Sequence, residues 1–515
     1  MTTIDPKSVP DALDERDLEQ IQALVFRGWA RDFKHAAFLF VQLPREYLAD
    51  GAVDTRNAKT WLDEVRQDIA WYRGATADKL PTDGGSPVAG RLQLALTTRG
   101  LRTLGLDAQA LNLFPYEAKA GMERRARVLG DPISLDEAKK EVVADPDDLD
   151  QLETNKPMPT DWSLDLRDCD AMILLYAGSD EHVRAAEAAQ RARVKRFGGV
   201  PMTTQWSGEW KEREPFGFAD GLSQPGIKGQ PSRTGVLPSP HNEIAAGEIL
   251  LGYRNEYGHV PKSPVLDPRK HARCPDGMDI GKNGTFLVFR KLEQDVKGFW
   301  NAFRTLARDW QGVHGVPVGI DEATHWLAAR AMGRWTNGNS VALHPEKPGA
   351  RMHDSKINEF VYGDDPDGNR CPIASHVRRA NPRDERGGGA AESWKVVKRH
   401  RILRRGRAYG VMPELQDAIA GKLNGESGDT GLLFVCLQAN ITHGFEFVQQ
   451  IWNNNPAFNG IYQEPDPIMG PGGGPFTIPA RPARLRTPPL PRFVIPRGGG
   501  YFFVPSRAVV ELLAT

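Results

Sequence analysis

The 515-residue sequence has little cysteine, no long apolar run and no excess charge of either sign. Its four cysteines, at 169, 274, 371 and 436, form no CxxC pair, which disfavours a zinc site and a disulfide framework. No stretch approaches the roughly 20 apolar residues of a membrane span. The polar, acidic N-terminus lacks the basic and apolar regions of a signal peptide. These absences predict a cytoplasmic protein with no membrane partner.

The charge balance bears on a further class of partner. The 66 basic and 66 acidic residues cancel, so bulk charge gives no reason to expect nucleic acid. What the sequence does have is glycine (52) and proline (39), dispersed among aromatic and aliphatic residues. Two segments rich in these residues, 337–395 and 464–500, are too long for simple connections. We expect ordered loops that wrap a site.

Hydrophobic patterning predicts both strands and helices. Short apolar runs predict strands at 36–43, 92–98, 171–178, 247–253, 284–292, 431–439 and 500–506. Helical spacing occurs at 57–72, 179–197, 293–310 and 321–335, with Ser179 as the expected N-cap of the second helix.

The order of these elements indicates a duplication. A buried strand, a polar break and an amphipathic helix begin at 171 and again at 431. This pattern predicts an α+β fold of duplicated ferredoxin-like domains, with antiparallel sheets and peripheral helices. The predicted domains are 1–205 and 206–515, and the second contains the long loops.

The stretch REPFGFADGLSQPGI (213–227) places one acid, Asp220, between Gly217 and Gly221. Asp-Gly is ordinarily a turn. The alternative is a carboxylate held against a flat group, with the glycines allowing the backbone to approach it closely. The stretch alone does not decide between the two.

A second segment, CPIASHVRRANPR (371–383), leads from small apolar residues to His376 and then to Arg378 and Arg379. A partly buried histidine beside a solvated basic face explains the segment by itself. The sharper hypothesis is an axial imidazole on haem iron, with arginines for the two propionates.

The third segment, KRHRILRRGRAYG (398–410), is either a basic solvated strand or a phosphate-binding patch in its simplest interpretation. Because Ile402 and Leu403 are buried residue types, Arg404 is expected to be drawn inward, while Arg399, Arg401 and Arg407 stay in solvent. A guanidinium in an apolar pocket is costly unless a ligand needs it.

The three segments combine into one chemistry. If His376 holds haem on one side, the opposite side is open to peroxide. Splitting peroxide needs a group that moves a proton between its two oxygens, and a donor that stabilises the departing oxygen. Asp220 is suited to the first task and Arg404 to the second.

At this point the sequence resembles the dye-decolourising peroxidases, and most closely their longer members. The resemblance rests, in order, on GFADG with LSQP, on CPIASHVRRANPR, on RILRRGRAYG, on GLLFVCLQANITHGFEFVQQIW and on PRGGGYFFVPS. It covers about 300 residues, and the N-terminal IQALVFRGWARDFKHAAFLFVQL is similar to the family's opening.

The resemblance implies a role for each matching residue. It implies one haem b per chain, with His376 as proximal iron ligand and Asp220 and Arg404 on the distal side. Leu432 and Phe434 resemble the residues that line the distal pocket. In this family an acid often accepts the other ring hydrogen of the proximal histidine. By position, Asn440 stands where some members have that acid, and Glu446 is a substitute.

The implied activity is reduction of hydrogen peroxide coupled to one-electron oxidation of small organic reductants such as dyes and phenolics. Bulky dyes would need a surface residue that relays electrons to the haem. Trp206, Trp210 and Tyr409 are candidates, and the alternative for each is a simple packing role. Two alternatives remain: a haem-binding carrier or iron-release protein without turnover, and a haem-free structural protein. The family often forms homo-oligomers, but no diagnostic interface is evident in the sequence.

An aspartate as the proton carrier, instead of a histidine, predicts an acidic optimum for dye oxidation. The measurement is the initial rate of dye decolouration across the pH range at fixed peroxide. Full activity only above neutral pH would contradict this role for Asp220.

Overall fold

The structure is a computed structural model. It describes residues 9–29, 32–47, 53–73, 82–83, 86–87, 90–154 except 141–144, 156–230, 239–266, 278–354, 356–386, 388–423, 428–480 and 483–515. Cys274 lies outside these residues. The other three cysteines, Cys169, Cys371 and Cys436, are buried and free. None of the described helices has the length and apolar character needed to cross a bilayer.

A nine-stranded antiparallel sheet organises the described residues. Its strands are β1 (His35–Gln42), β2 (Arg91–Leu96), β3 (Ala171–Ala177), β4 (Val200–Trp206), β5 (Thr285–Gln294), β6 (Leu403–Arg404), β7 (Arg407–Tyr409), β8 (Gly431–Gln438) and β9 (Val494–Val504). The spatial order is β6-β8-β5-β9-β2-β3-β1-β4, and β7 also pairs with β8.

The sheet consists of two halves with the same topology. In chain order, each half places its second strand at one edge, then its third, first and fourth strands: β2-β3-β1-β4 and β6-β8-β5-β9. Among the described residues, the backbone pairing that continues the sheet from one half to the other is that of Phe503 on β9 with Leu96 on β2. This repetition confirms the expected α+β fold with duplicated ferredoxin-like units. The division into domains 1–205 and 206–515 stays a prediction.

Helices pack on the outer faces of the two halves. The longer ones are α1 (Arg56–Val65), α2 (Asp180–Arg196), α3 (Val296–Asp309), α4 (Ile320–Met332), α6 (Ala390–Lys398) and α7 (Arg507–Ala514), and the five-residue helix α5 (His376–Ala380) lies between α4 and α6 along the chain. Ser179 caps α2 as predicted, since its hydroxyl accepts a hydrogen bond from the backbone N–H of His182.

Shorter elements connect these. Short α-helices span Glu15–Leu18, Thr98–Thr103, Ala108–Leu111, Tyr116–Ala120, Ala126–Leu129, Leu135–Lys140, Leu149–Glu153 and Leu415–Ile419; 3-10 turns span Ala23–Val25, Glu123–Arg125, Ala246–Glu248 and Phe458–Gly460. Two-residue strands form at Glu46–Tyr47, Val53–Asp54, Thr82–Asp83, Ser86–Pro87, Gly226–Ile227, Glu243–Ile244, Val265–Leu266, Met278–Asp279, Thr477–Ile478 and Leu485–Arg486.

One predicted strand is wrong. Residues 247–253 are mostly apolar and buried, but Ile249 and Leu250 donate their backbone N–H groups back to the carbonyl of Ala246, at 3.0 and 2.8 Å. The run therefore forms tight turns inside the core. A short apolar run reports burial, and burial alone does not distinguish a strand from a packed turn.

The helix that follows β8 differs from the predicted amphipathic α-helix. Its two segments, Thr442–Glu446 and Val448–Asn453, are π-helical. The N–H of Glu446 donates to the carbonyl of Ile441, and that of Asn454 to the carbonyl of Gln449, both five residues back. Such wide turns are rare and often lie at functional sites.

The core between the two half-sheets is aromatic. The ring of Phe289 on β5 lies 5.0 Å from Phe40 and 6.2 Å from Phe38, both on β1. Side chains alternate along β5, so Leu287 and Phe289 enter this core while Arg290, Leu292 and Gln294 point to the outer face. Strand β8 alternates likewise, with Leu432 and Phe434 outward. The outer face of the second half thereby becomes one wall of a cavity.

Phe289→Ala is expected to destabilise the protein by about 3–5 kcal/mol, because it removes the ring that joins the half-sheets. Denaturant unfolding measures the loss. Val318→Ala, at a side chain that is 83% exposed, serves as the control and should change stability by less than about 0.5 kcal/mol. A loss below about 1 kcal/mol for Phe289→Ala would contradict this account of the core.

Candidate functional site

A cavity of about 260 Å³ lies between the outer face of β5 and β8, helix α5, the turn around Asp220 and the π-helical segments. Five of the predicted site residues line it: Asp220, His376, Arg404, Leu432 and Phe434. They come from four separate parts of the chain.

The turn that presents Asp220 is built around Glu214. The carboxylate of Glu214 accepts the backbone N–H groups of Phe216 and Phe218, at 3.0 and 2.9 Å. Phe216 in turn stacks on Phe299 of α3, with ring centroids 4.2 Å apart. The N–H of Asp220 donates to the carbonyl of Glu212, at 3.1 Å. These contacts fix the turn that presents Asp220.

The two flanking glycines serve backbone conformation. Gly217 and Gly221 have φ of +97° and +78°, a region that other residues adopt at a cost. A Cβ at Gly217 would lie 2.7 Å from the side chain of Leu415, whereas one at Gly221 would meet open space. Neither glycine lines the cavity. The predicted close approach of these glycines to a flat ligand therefore has no support in this geometry, and the left-handed turn accounts for them.

Arg404 is positioned beside the same turn. It lies on β6, where it pairs with Cys436 of β8. Its Nη2 donates to the carbonyl of Leu222 at 2.6 Å, and its backbone N–H donates to Oε1 of Gln224 at 3.0 Å. These bonds bring the guanidinium to the loop that follows Asp220.

His376 begins α5, and a buried carboxylate fixes its ring. Nδ1 of His376 lies 2.8 Å from Oδ2 of Asp466, whose side chain is fully buried. Oδ1 of Asp466 accepts the N–H groups of Ile468 and Met469, at 2.8 and 2.9 Å. Burial raises the pKa of Asp466, but His376 and Arg379 outweigh it, so that pKa lies below its ordinary value.

This bond determines which ring nitrogen is available to a ligand. A carboxylate at Nδ1 accepts the ring hydrogen, which leaves the lone pair on Nε2. Nε2 has no hydrogen-bond partner among the described residues, and the histidine lines the cavity. A metal-bound cofactor would find an imidazole already in the correct tautomer.

The predicted partners of His376 are wrong. Asn440 is exposed, and its Oδ1 accepts the N–H of His443. Glu446 is buried against Arg125 and Tyr501, at 2.6 and 2.8 Å. Asp466 takes the role instead, from the Pro- and Gly-rich segment 464–500 that was predicted to wrap a site.

The two arginines after His376 do not line the cavity. Arg378 is ion-paired with Asp365 and Glu385, while Arg379 donates to the carbonyls of Trp452, Glu464 and Asn455. Both are fully buried with their donors occupied. The short helix turns them away from the side where His376 faces the cavity, which leaves the propionate role predicted for them without structural support.

Arginines other than Arg378 and Arg379 face the cavity. Arg334 and Arg401 line the cavity together with Arg404, and Arg383 lies behind Arg334, with which it shares Oδ1 of Asn358. Burial, followed by the charges of Arg383 and Arg404, lowers the pKa of Arg334 and that of Arg401 to about 9 each. Arg401 was expected in solvent, as was Arg407. Both are buried because carbonyl oxygens accept their N–H groups.

This cluster is cationic and lacks an anion. Its hydrogen-bond acceptors are backbone carbonyls and the amides of Asn242 and Asn358. No carboxylate among the described residues is ion-paired with Arg334, Arg401 or Arg404. Buried like charges without a counter-ion are unfavourable, so the geometry favours an anionic ligand here.

The rest of the wall is apolar. It includes Leu292, Met332, Leu432, Phe434, Phe445, Val448, Ile468 and Met469. A free imidazole nitrogen, a cluster of arginines and an apolar wall together fit haem, whose iron takes an axial histidine and whose propionates take cations.

The suggested relay residues are placed differently from one another. Trp206 is half-buried at the end of β4 beneath Arg184, and Trp210 is half-buried near Arg407. Tyr409 is only 5% exposed and lies under Lys291, so it is not a surface residue.

Sequence reasoning missed Glu214, Arg334 and Asp466. Glu214 had an available signal, since it is an acid six residues before Asp220 in the same motif. Asp466 stands between two prolines in a loop already suspected of enclosing a site, in EPDPIMG. Arg334 follows α4 in a Gly-Arg-Trp sequence that carried no distinguishing feature.

Comparisons with known proteins find relatives that are named as dye peroxidases. No protein-family model matches the chain. The multifunctional dye peroxidase DyP2 of Amycolatopsis sp. is 29% identical over 516 residues, which cover 96% of each chain. A dye-decolorizing peroxidase of Mycena epipterygia is 35% identical over 58% of this chain and 57% of its own. The solved structure of an ancestral D-type dye decolorizing peroxidase has a TM-score of 0.71 and 27% identity, and the match covers 96% of this chain and 98% of that one.

Asp466→Ala is expected to cost about 2–4 kcal/mol in unfolding free energy, because it leaves an imidazole N–H and two backbone N–H groups without an acceptor. Asp466→Asn should cost less, since its carbonyl still accepts. Denaturant unfolding of the haem-free chain measures both, with Asp367→Ala on the surface as control. Equal stability of all three variants would contradict the role assigned to Asp466.

Proposed function

The chain belongs to the dye-decolourising peroxidase family, and we propose that it holds one haem b per chain in the cavity lined by His376. Its activity is the reduction of hydrogen peroxide coupled to one-electron oxidation of organic donors such as dyes and phenolics. The observation that carries the proposed site is that Asp220, Arg404 and His376 line a single cavity.

Three groups of residues would hold the cofactor. Nε2 of His376, kept in its tautomer by Asp466, would bind the iron. Arg334 and Arg401 would hold the propionates, which would supply the anionic charge that the cluster lacks. Leu432 and Phe434 would contribute apolar contacts to the ring. When bound, haem supplies an iron that accepts electrons from organic donors and delivers them to peroxide.

Asp220 moves the proton. As a carboxylate it takes a proton from one peroxide oxygen and returns it to the other, so that the second oxygen leaves as water. The turn built around Glu214 limits the movement of Asp220. Oδ1 of Asp220 also accepts the backbone N–H of Gly221 at 2.6 Å.

Arg404 stabilises charge. Its guanidinium donates to the carbonyl of Leu222, which holds it at the loop that follows Asp220, in the same cavity. In that place it offers its remaining N–H groups to the oxygen on which negative charge develops. An arginine suits this task because its planar guanidinium presents several N–H donors in a fixed geometry.

The remaining expectations concern the setting of the enzyme. Its partners are hydrogen peroxide and small organic reductants, and homo-oligomers are compatible with the family. Three buried free cysteines fit a reducing compartment, which supports a cytoplasmic location.

Replacing Asp220 tests the proposed roles. Asp220→Asn should keep the Soret band of the reconstituted protein but lower kcat/KM for peroxide about 10²–10⁴-fold, since the amide cannot shuttle the proton. Asp417→Asn, at an exposed aspartate, is the matched control. A visible spectrum with and without peroxide, and the rate of dye oxidation, are the measurements.

Two outcomes would contradict the proposal. Activity of Asp220→Asn within a few-fold of the wild type would remove the acid from the mechanism. A wild-type protein that binds haem but shows no peroxide-dependent spectral change or dye oxidation would instead be a haem carrier.

A further inference from the structure

The cavity contains a second carboxyl group besides Asp220. Glu214 lines the same wall and belongs to the same turn. Besides the two backbone N–H groups that it accepts, its Oε2 lies 2.8 Å from Nε2 of Gln294 on β5. The proton-shuttling role of Asp220 leaves Glu214 without a chemical task, although the group faces the reaction space.

The amide of Gln294 is suited to a carboxyl group that changes its protonation state. The side chain is buried, and its Oε1 has no hydrogen-bond partner within the described part of the chain. While Glu214 is a carboxylate, Nε2 of Gln294 donates to it. When Glu214 carries a proton, the amide can rotate by half a turn so that Oε1 accepts the new O–H. Because the other end of the amide has no partner, the rotation breaks no second bond.

The surroundings of Glu214 favour its protonated form at acidic pH. Burial raises the pKa of Glu214 to about 7, and the charge of Asp220 acts in the same direction, against the hydrogen bonds from Gln294, Phe218 and Phe216. The titratable groups that line the cavity with it are Asp220 on the same turn, Arg290 on β5, Arg334 after α4, His376 on α5, and His400, Arg401 and Arg404 at β6. Glu214 is thus a carboxyl group of this cavity that exchanges a proton near neutral pH.

We propose that Glu214 is the proton store of the cavity, which supplies protons to the Asp220 side during turnover while Gln294 accommodates both of its protonation states. This inference rests on the proposed peroxidase function. It makes Glu214 a positioning and relay residue, because the group acts through Asp220 and need not touch peroxide.

The proton balance of the reaction requires such a source. Reduction of one hydrogen peroxide to two waters consumes two electrons and two protons. Two molecules of a dye that is oxidised to its radical cation supply the electrons but no protons. Both protons must therefore enter from solvent through the protein, and Glu214 takes up a proton after each one that it gives.

The experiment compares Glu214→Gln with Glu248→Gln. Glu248 is also buried, and burial raises its pKa to about 8, but it lies outside the cavity lining, so it is the matched control. The first measurement is infrared difference spectroscopy of the haem-free chain between pH 6 and pH 8. A protonated-carboxyl band of Glu214 should disappear in the wild type as pH rises through about 7. The component that titrates near pH 7 should be absent from Glu214→Gln and present in Glu248→Gln, whereas the Glu248 component, with a pKa of about 8, should remain in Glu214→Gln.

The second measurement is the pH profile of kcat at saturating peroxide, with a dye that is oxidised to its radical cation and releases no proton. In the wild type kcat should fall as pH rises through about 7, where the stored proton is lost. Glu214→Gln should lack this step and turn over about 10-fold or more slowly at pH 6, while Glu248→Gln keeps the wild-type profile. A uniform loss at every pH, or an unchanged step, would overturn the inference.

A second variant distinguishes loss of the proton store from misfolding of the turn. Gln294→Leu leaves Glu214 in place but removes a donor that lowers its pKa, so the step should move to higher pH. No movement would also overturn the inference. A wild type without peroxide-dependent dye oxidation would overturn the proposed function itself, whereas an active wild type with an unaffected Glu214→Gln would overturn only the proton store.

Discussion

The hydrogen bond between His376 and Asp466 is the interaction on which the rest of the site depends. It joins helix α5 to a loop 90 residues further along the chain and leaves Nε2 as the free ring nitrogen. Two backbone N–H groups donate to the carboxylate of Asp466, and this fixes the acceptor that orients the imidazole. Everything assigned to the opposite side of the cavity presupposes a ligand that this nitrogen fixes in place.

The duplicated fold explains why one half carries the site. In the first half, α1 and α2 cover the outer face of the sheet with Trp61, Leu62, Val183 and Val194, which belong to a continuous core. In the second half, Arg290 and Gln294 interrupt the apolar outer face of β5, and a cavity separates this face from α5 and the π-helical segments. The same topology thus produces a closed core on one side and a polar-edged cavity on the other.

Sequence reasoning succeeded for most local features and failed where chemistry depended on distant chain segments. Six of the seven predicted strands and the N-cap at Ser179 follow from neighbouring residues. The cavity location of Asp220, His376 and Arg404 followed from motifs in a recognisable order. The partner of His376 did not, because a position counted along the chain gave Asn440, whereas the folded loop brings in Asp466. The prediction of propionate-binding arginines failed for a similar reason. Arg378 and Arg379 are adjacent to the histidine in sequence, but the helix directs Arg378 to an ion pair with Glu385 and Arg379 to backbone carbonyls.

A crystal structure of the protein reconstituted with haem tests the central claim most directly. The account predicts a bond from the iron to Nε2 of His376, with Asp220 and Arg404 on the opposite face of the ring and the propionates toward Arg334 and Arg401. Iron bound by another residue, or an Asp220 carboxylate on the same face as His376, would contradict it.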